Sequence, residues 1–393
     1  MTVERLRPRA LAPPLRVWIW TAATVVLVVV ATLLWRGSDA AATQSTTAPA
    51  VATPTGALGA HLEPTWSVEG APVPRTVVER GRVVVGQHDG VRALDPVTGH
   101  EAWHYTRSNA RLCDLTAVDD RVVAVFATSG ACDEAVALDA GTGVRAWTRN
   151  VDLPAAVSLR SASGMVLATA PTGVVAFDPV SDTQRWQVAA GTGCRIRSGE
   201  VSGSGVVLLE GCADGLQLRA LENGGGGELW TQQLGSAPDA GSVQLVGGGR
   251  LVTVVVGDEL RTFRGADGAP LAVAALPAGD GEQATADPEA TEIGDTTLVW
   301  ARGTVWALDS TTGDRRWSVP ATGVPAAQPP ARSVGAVAAV LVPERDTFVD
   351  RALTSGAETG RHAVADPLPP GGDAVAVGPV VVYRLADRVT GYR

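Results

Sequence analysis

Short apolar runs recur along most of this chain, separated by polar turn residues. The clearest eight fall at residues 83–85, 122–126, 166–169, 206–209, 251–256, 297–301, 337–341 and 380–383. Each is often β-branched, follows another short strand-like stretch, and is bounded by Gly or Asp. Such runs predict buried strands. No amphipathic helical period stands out after residue 36. One apolar stretch is of a different kind. Residues 17–35, VWIWTAATVVLVVVATLLW, carry no charge. As a helix they would span about 28 Å, close to the thickness of a hydrocarbon core.

The strand pattern is a repeat. ALDPVTGHEAW at 93–103 returns as ALDAGTGVRAW at 137–147 and ALDSTTGDRRW at 307–317. Weaker copies are AFDPVSDTQRW at 176–186 and ALENGGGGELW at 220–230. Two more, at 262–272 and 352–362, have lost the tryptophan. Trp103, Trp147, Trp186, Trp230, Ala272, Trp317 and His362 would then take one place in seven units. The motif ends a third strand, turns tightly and enters a fourth. Aspartate suits the turn because its carboxylate accepts local N–H groups, and glycine tolerates positive φ. Asp95, Gly99 and Trp103, Asp139, Gly143 and Trp147, Asp178 and Trp186, Trp230, and Asp309, Gly313 and Trp317 are therefore read as structural bracing. A catalytic site would not need so many copies.

One four-stranded sheet cannot cover both of its faces. Radial stacking solves this, which predicts an all-β propeller. Trp66 in PTWSVEGA looks like the end of a unit with no motif before it. Residues 387–393 look like a unit that stops before its fourth strand. The segment around Trp66 is expected to complete the sheet begun near Asp373, bringing Tyr392 to the closure. Eight blades of four antiparallel strands result, with seven as the alternative.

The pattern Ala-x-Asp-x-x-x-Gly-x-x-x-Trp resembles the tryptophan-docking motif of pyrroloquinoline-quinone-type β-propellers. The resemblance extends over residues 62–393. It implies one of two functional types. One is the dehydrogenases, which bind the quinone and Ca²⁺. The other is non-catalytic, like the propeller lipoprotein of the outer-membrane barrel-assembly machinery.

Arg5, Arg7, Arg9 and Arg16 precede the apolar helix and only Arg36 follows it closely. This charge bias places residues 1–16 in the cytoplasm, 17–35 in the membrane and the rest outside. A cleaved signal peptide ending near Ala40-Ala41-Ala42 is the competing reading. Residues 36–61 are rich in Ala, Thr, Ser and Pro and predict a flexible tether to a domain at 62–393. The first cysteine is Cys113, so a lipidated N-terminal cysteine is not expected. The formal charge is −9. No basic stripe offers itself to phosphates, so nucleic acid is not an expected partner.

Four cysteines allow three pairings. Cys113 and Cys132 flank the first two strands of one unit, and Cys194 and Cys212 those of another. Hairpin geometry favours Cys113–Cys132 and Cys194–Cys212, and disulfides suit an exported domain. The acidic insert at 280–295 lacks the spacing of a Ca²⁺ loop and reads as a surface loop. Gly224 to Gly227 lack the Lys-Ser/Thr end of a phosphate loop and read as a lengthened turn. His61, His88, His100, His104 and His362 show no metal spacing. No vicinal Cys-Cys pair, usual near the quinone in the family's enzymes, is present. The expectation is a membrane-tethered extracytoplasmic propeller with no cofactor and no catalytic residues. It would act as a binding or scaffold module, contacting a protein or small ligand through its loops. A quinone-dependent dehydrogenase, or an envelope-assembly factor resembling the barrel-assembly lipoprotein, are the alternatives.

Overall fold

A computed structural model describes residues 15–36, 38–74, 78–128, 130–153, 156–181, 183–235, 243–326 and 338–393. Eight sheets follow one another around a ring. Blades 2 to 6 are regular four-stranded meanders over residues 111–153, 158–189, 194–235, 243–275 and 289–320. First strands of successive blades touch one another and line a central channel. The second strands are buried on both faces, as at Arg121–Ala127 and Met165–Ala170. That is why they read as continuous apolar runs rather than alternating ones. The core is a series of layers between neighbouring sheets. Between blades 1 and 2, for example, Val84, Ala93 and Trp103 meet Leu115, Ala124 and Val136.

Blade 8 closes the ring. Gly372–Val377, Val380–Arg384 and Arg388–Tyr392 supply three strands, and Pro64–Glu69 adds the fourth, antiparallel to Arg388–Tyr392. Pro64 stands opposite Tyr392, and Trp66 opposite Gly391. Blade 7 departs from the pattern. Its strands are Ala339–Glu344, Thr347–Ala352 and Glu358–Val364, with His61–Leu62 parallel at the outer edge. Gly323–Pro325 pairs in parallel with Gly372–Val377 of blade 8 instead. Of the apolar run at 337–341, residue 337 lies outside the described residues.

Helix α1, Leu15–Arg36, is uncharged between Arg16 and Arg36, and its apolar stretch reaches a mean hydropathy of 2.4 and is not buried against the ring. It is long and apolar enough to cross a membrane.

The segment after α1 is not the free tether that its composition predicts. Helix α2, Asp39–Ala42, leads into Thr43–Ser45, which pairs with Glu101–Arg107 as a fifth strand of blade 1. The chain then crosses the ring as a strap. Ala48 N donates to Thr142 O, Arg82 donates to Pro49 O, and His362 Nδ1 donates to Gly59 O. Arg107, 1% exposed, holds the start of the strap: its guanidinium meets Asp39 at 2.8 Å and Glu134 at 2.6 Å. Backbone bonds and the Arg107 ion pairs fix most of the strap, and apolar burial is confined to Ala48, Leu58 and Leu62. Composition does not register such anchoring.

Three smaller readings are corrected. The structural equivalent of Trp103 in blade 7 is Gly360: Asp350 pairs with Gly360 as Ala93 pairs with Trp103. His362 lies two residues further and meets Asp350 at 3.1 Å. The acidic insert contains a single helical turn, Glu282–Thr285, and its end is the first strand of blade 6, Glu289–Ile293. A channel-facing strand tolerates charge, so acidity did not mark a loop there. Gly224 to Gly227 belong to a turn of ordinary length, with Glu222 N bonded to Gly227 O as Asp95 N is to His100 O.

Candidate functional site

Six tryptophans tie one blade to the next by one rule, at six of the eight joints. Trp66, Trp103, Trp147, Trp186, Trp230 and Trp317 donate Nε1–H to the carbonyls of Pro96, Ala140, Pro179, Asn223, Gly265 and Leu353. Each carbonyl belongs to the third-to-fourth-strand turn of the following blade. For all of these but Trp147, whose receiving turn has no glycine at that place, the ring rests on the turn's glycine. Gly143 has φ +76°, and a Cβ there would lie 2.7 Å from Trp103. Both the conformation and the contact exclude a side chain. Trp66 docks on Gly99 in the same way, so the closing strand seals blade 8 to blade 1.

The motif carboxylates are spent inside these turns. Asp95 accepts from Val97 N and Thr98 N, both at 3.0 Å. Asp139 accepts from Thr142 N at 2.9 Å and pairs with Arg121 at 3.1 Å. Asp178 accepts from Val180 N and Ser181 N, and the Arg185 guanidinium, foremost, holds its pKa down to about 2. Asp309 is lowered likewise by Arg316, which also drops Asp295 to about 2. Asp178, Asp295 and Asp309 therefore stay charged and hydrogen-bonded at neutral pH.

Blades 5 and 6 lack this tie because Ala272 stands in the tryptophan position. Polar bridges hold them instead, Arg302 to Asp258 at 2.7 Å and Arg250 to Glu292 at 2.6 Å. Leu271 leans on Gly313. Ala272→Trp is expected to stabilise the ring by about 1 kcal/mol, by supplying the missing bond, to Ser310 O. Urea unfolding of this variant beside Ala272→Phe checks it, and a lower midpoint for Trp than for Phe contradicts it.

Both disulfides form within a blade: Cys113–Cys132 in blade 2 and Cys194–Cys212 in blade 4. Cys132 opens the third strand of its blade, so the first bridge spans from first to third strand rather than across a hairpin end. Cys113 sits at a register break in the first strand, and a bulge of this kind re-aims a side chain. Beside Cys194–Cys212, the buried Glu210 accepts from Arg219 and Gln217, both at 2.8 Å. Glu210 and these two sulfurs form the one cluster of metal-ligand type among the described residues. Its sulfurs are bonded to each other.

The channel mouth holds the groups not used in docking. It is a cavity of about 730 Å³ at the end of the ring that carries the blade-to-blade connections. Arg160, Arg197, Glu200, Gln244 and Glu289 reach it from the first strands of blades 3 to 6. Arg197 falls at a register break and lies over Gly211, where a Cβ would come within 2.7 Å of its Nε. Charges pair across blades, Arg160 with Glu200 at 3.5 Å and Arg384 with Glu289 at 3.1 Å, and Arg384 also meets Asp373 within blade 8. Gln244 donates to Asp287 at 2.9 Å. Arg384 spans from blade 8 to blade 6 because the strand 323–325, between them, joins blade 8. It is 8% exposed, and its Nε has no hydrogen-bond partner among the described residues. The sequence reading did not find this set. Its members are single polar or charged residues spread over strands of several blades, with only Arg197 and Glu200 sharing one. The available signal was a charged residue in the first strand of a unit.

No curated protein sequence matches the chain. Among solved structures, BamB from Moraxella catarrhalis is similar at 17% identity and a TM-score of 0.50, over 84% of this chain and 99% of that one. The computationally designed protein Ika8 is similar at 15% identity and 0.55, over 85% and 99%. The quinohemoprotein alcohol dehydrogenase ADHIIG from Pseudomonas putida HK5 aligns at 13% and 0.48, over 84% and 76%. The family model described as outer membrane protein assembly factor BamB matches residues 32–207 and 213–386. With its repeated docking turns and eight blades, the chain belongs to that family of PQQ-like β-propellers.

Proposed function

We propose that α1 anchors this protein in the membrane with residues 1–16 in the cytoplasm, and that the propeller outside binds a protein partner at the channel mouth without catalysing a reaction. The observation that carries this is the mouth itself. Charged side chains from several blades converge there, whereas the conspicuous motif residues are used up in bracing.

The quinone and Ca²⁺ of the family's dehydrogenases do not fit the donor set. Ca²⁺ takes six to eight oxygen ligands. Here Glu289 and Asp373 hold Arg384, Asp287 holds Gln244, and Glu200 faces Arg160. The cysteines form intrablade bridges, not a vicinal pair.

The test has two arms. Protein supplied with pyrroloquinoline quinone and Ca²⁺ is expected to reduce no electron-acceptor dye with alcohols or sugars; sustained turnover rejects the non-catalytic reading. In mild detergent, the native full-length protein is expected to migrate in a complex. Arg160→Glu with Arg197→Glu should release it, while the rim substitution Val180→Glu should not. Migration of the wild type alone removes the binding role.

A further inference from the structure

We infer that the channel mouth faces the bilayer and that its partner is the juxtamembrane segment of another membrane protein. This rests on the proposed anchor and binding mouth, and adds which way the ring points and what it meets.

The ring does not hang on a free tether. Helix α1 ends at Arg36, and Ser38 bonds back to it, its N and Oγ both donating to Trp35 O at 3.0 and 2.7 Å. Asp39 is already clamped to the ring, by Arg107 and by Asn109 Nδ2, both at 2.8 Å. Ser108 N donates to Ala42 O at 2.9 Å. Three residues span at most about 11 Å. The rim of blades 1 and 2 is therefore held at the headgroup layer.

The attachment point identifies which end of the ring is held there. Ser108 and Asn109 form the connection from blade 1 to blade 2, and Arg107 N donates to Asp89 O in the second-to-third-strand turn. In a meander blade, these connections and turns share one end of the ring. The mouth opens at that same end, as its lining residues Asp287 and Ala386 show: one lies in a blade connection and the other in a second-to-third-strand turn. From Asp39 the chain runs away from this end. Thr43–Ser45 descends antiparallel to Glu101–Arg107, and the strap continues to the first-to-second-strand turns of blades 1 and 8, beside Gly81 and Gly378. The chain thus arrives from the membrane on the mouth side and departs to the far side.

The chemistry of the mouth selects the occupant. Arg160, Arg197 and Arg384 stand among Glu200, Asp287 and Glu289. The apolar side chains of the lining, Leu209, Val243 and Leu245, are buried, so an acyl chain would meet the charged groups first. A polypeptide segment carrying both signs can exchange its own ion pairs for the interblade ones, Arg160 with Glu200 and Arg384 with Glu289.

Full-length protein in nanodiscs tests the orientation. Ala386→Cys at the mouth and Ser204→Cys at the opposite end are labelled separately with a donor dye, against acceptor-labelled lipid headgroups. Energy transfer is expected to be several-fold stronger from Ala386, and a long Gly/Ser insertion after Arg36 should erase the difference. Equal or reversed transfer overturns the orientation. Protein that elutes free of the discs sinks the anchor reading instead, which keeps the two failures apart. A photo-crosslinking phenylalanine analogue at position 386 in intact cells then tests the occupant. Adduct peptides from a segment adjoining a transmembrane helix are expected from position 386 and not from position 204. Adducts with phospholipid alone, or with a soluble protein, overturn the assignment.

Discussion

A chain that begins at Ala71 is expected not to fold, and one in which residues 61–70 are moved to follow Arg393 is expected to fold again. The first change removes Pro64–Glu69, the fourth strand of blade 8. It bares the edge of Arg388–Tyr392, and an open strand edge pairs with other chains. It also removes Trp66, which packs between Gly391 and the turn at Gly99 and donates to Pro96 O. No other described strand ties blade 8 to blade 1 at the rim. The second change restores all of this, because Glu63 and Arg393 already exchange backbone bonds at 2.9 Å and a short link joins them. In the intact chain, Trp66→Ala alone is expected to cost about 2–4 kcal/mol, near the low end for a large buried aromatic because Trp66 keeps some exposure. Circular dichroism, gel filtration and urea unfolding read all three. A truncated chain as stable as the wild type would show that the ring closes elsewhere.

This closure was legible before any coordinates, and the reason is physical. A repeat unit that cannot cover its own faces must find its missing strand, and Trp66 and Asp373 each announced half a blade. The docking turns were legible too, since glycine and tryptophan are forced by one contact. The failures have a common character. The strap at 38–62 is held mostly by backbone bonds and by Arg107, with Leu58 and Leu62 as scattered apolar contacts, too few to leave a mark in composition. Gly360 was hidden because the turn of blade 7 survives without its side chains: Gly356 N still donates to Ala352 O at 2.8 Å. The mouth residues were invisible because a channel assembles single charges from strands far apart in sequence. What brings Arg384 to Glu289, 95 residues away, is the shift of the strand at 323–325 toward blade 8. No local pattern encodes that shift.

Among the docking residues, Trp103 is expected to show the largest loss on substitution. It is fully buried, stacked on the turn glycine Gly143, and its Nε1 donates to Ala140 O at 3.0 Å. Trp103→Ala removes the ring and leaves a cavity between two β-sheets, for a cost of about 3–5 kcal/mol. Trp103→Phe keeps most of the apolar area but leaves the buried Ala140 carbonyl without its donor. That term alone is about 1–3 kcal/mol. Trp147 donates to Pro179 O in the same manner but is only half-buried, so Trp147→Ala should cost less. The expected order is Trp103→Ala above Trp103→Phe, and Trp103→Ala above Trp147→Ala, measured by urea unfolding with both disulfides intact. If Trp103→Phe equals wild type, the hydrogen bond contributes nothing and stacking on Gly143 alone joins the blades. If Trp147→Ala costs as much as Trp103→Ala, burial does not set the strength of the joint. The bracing would then have to be shared around the whole ring, with no single interface limiting its stability.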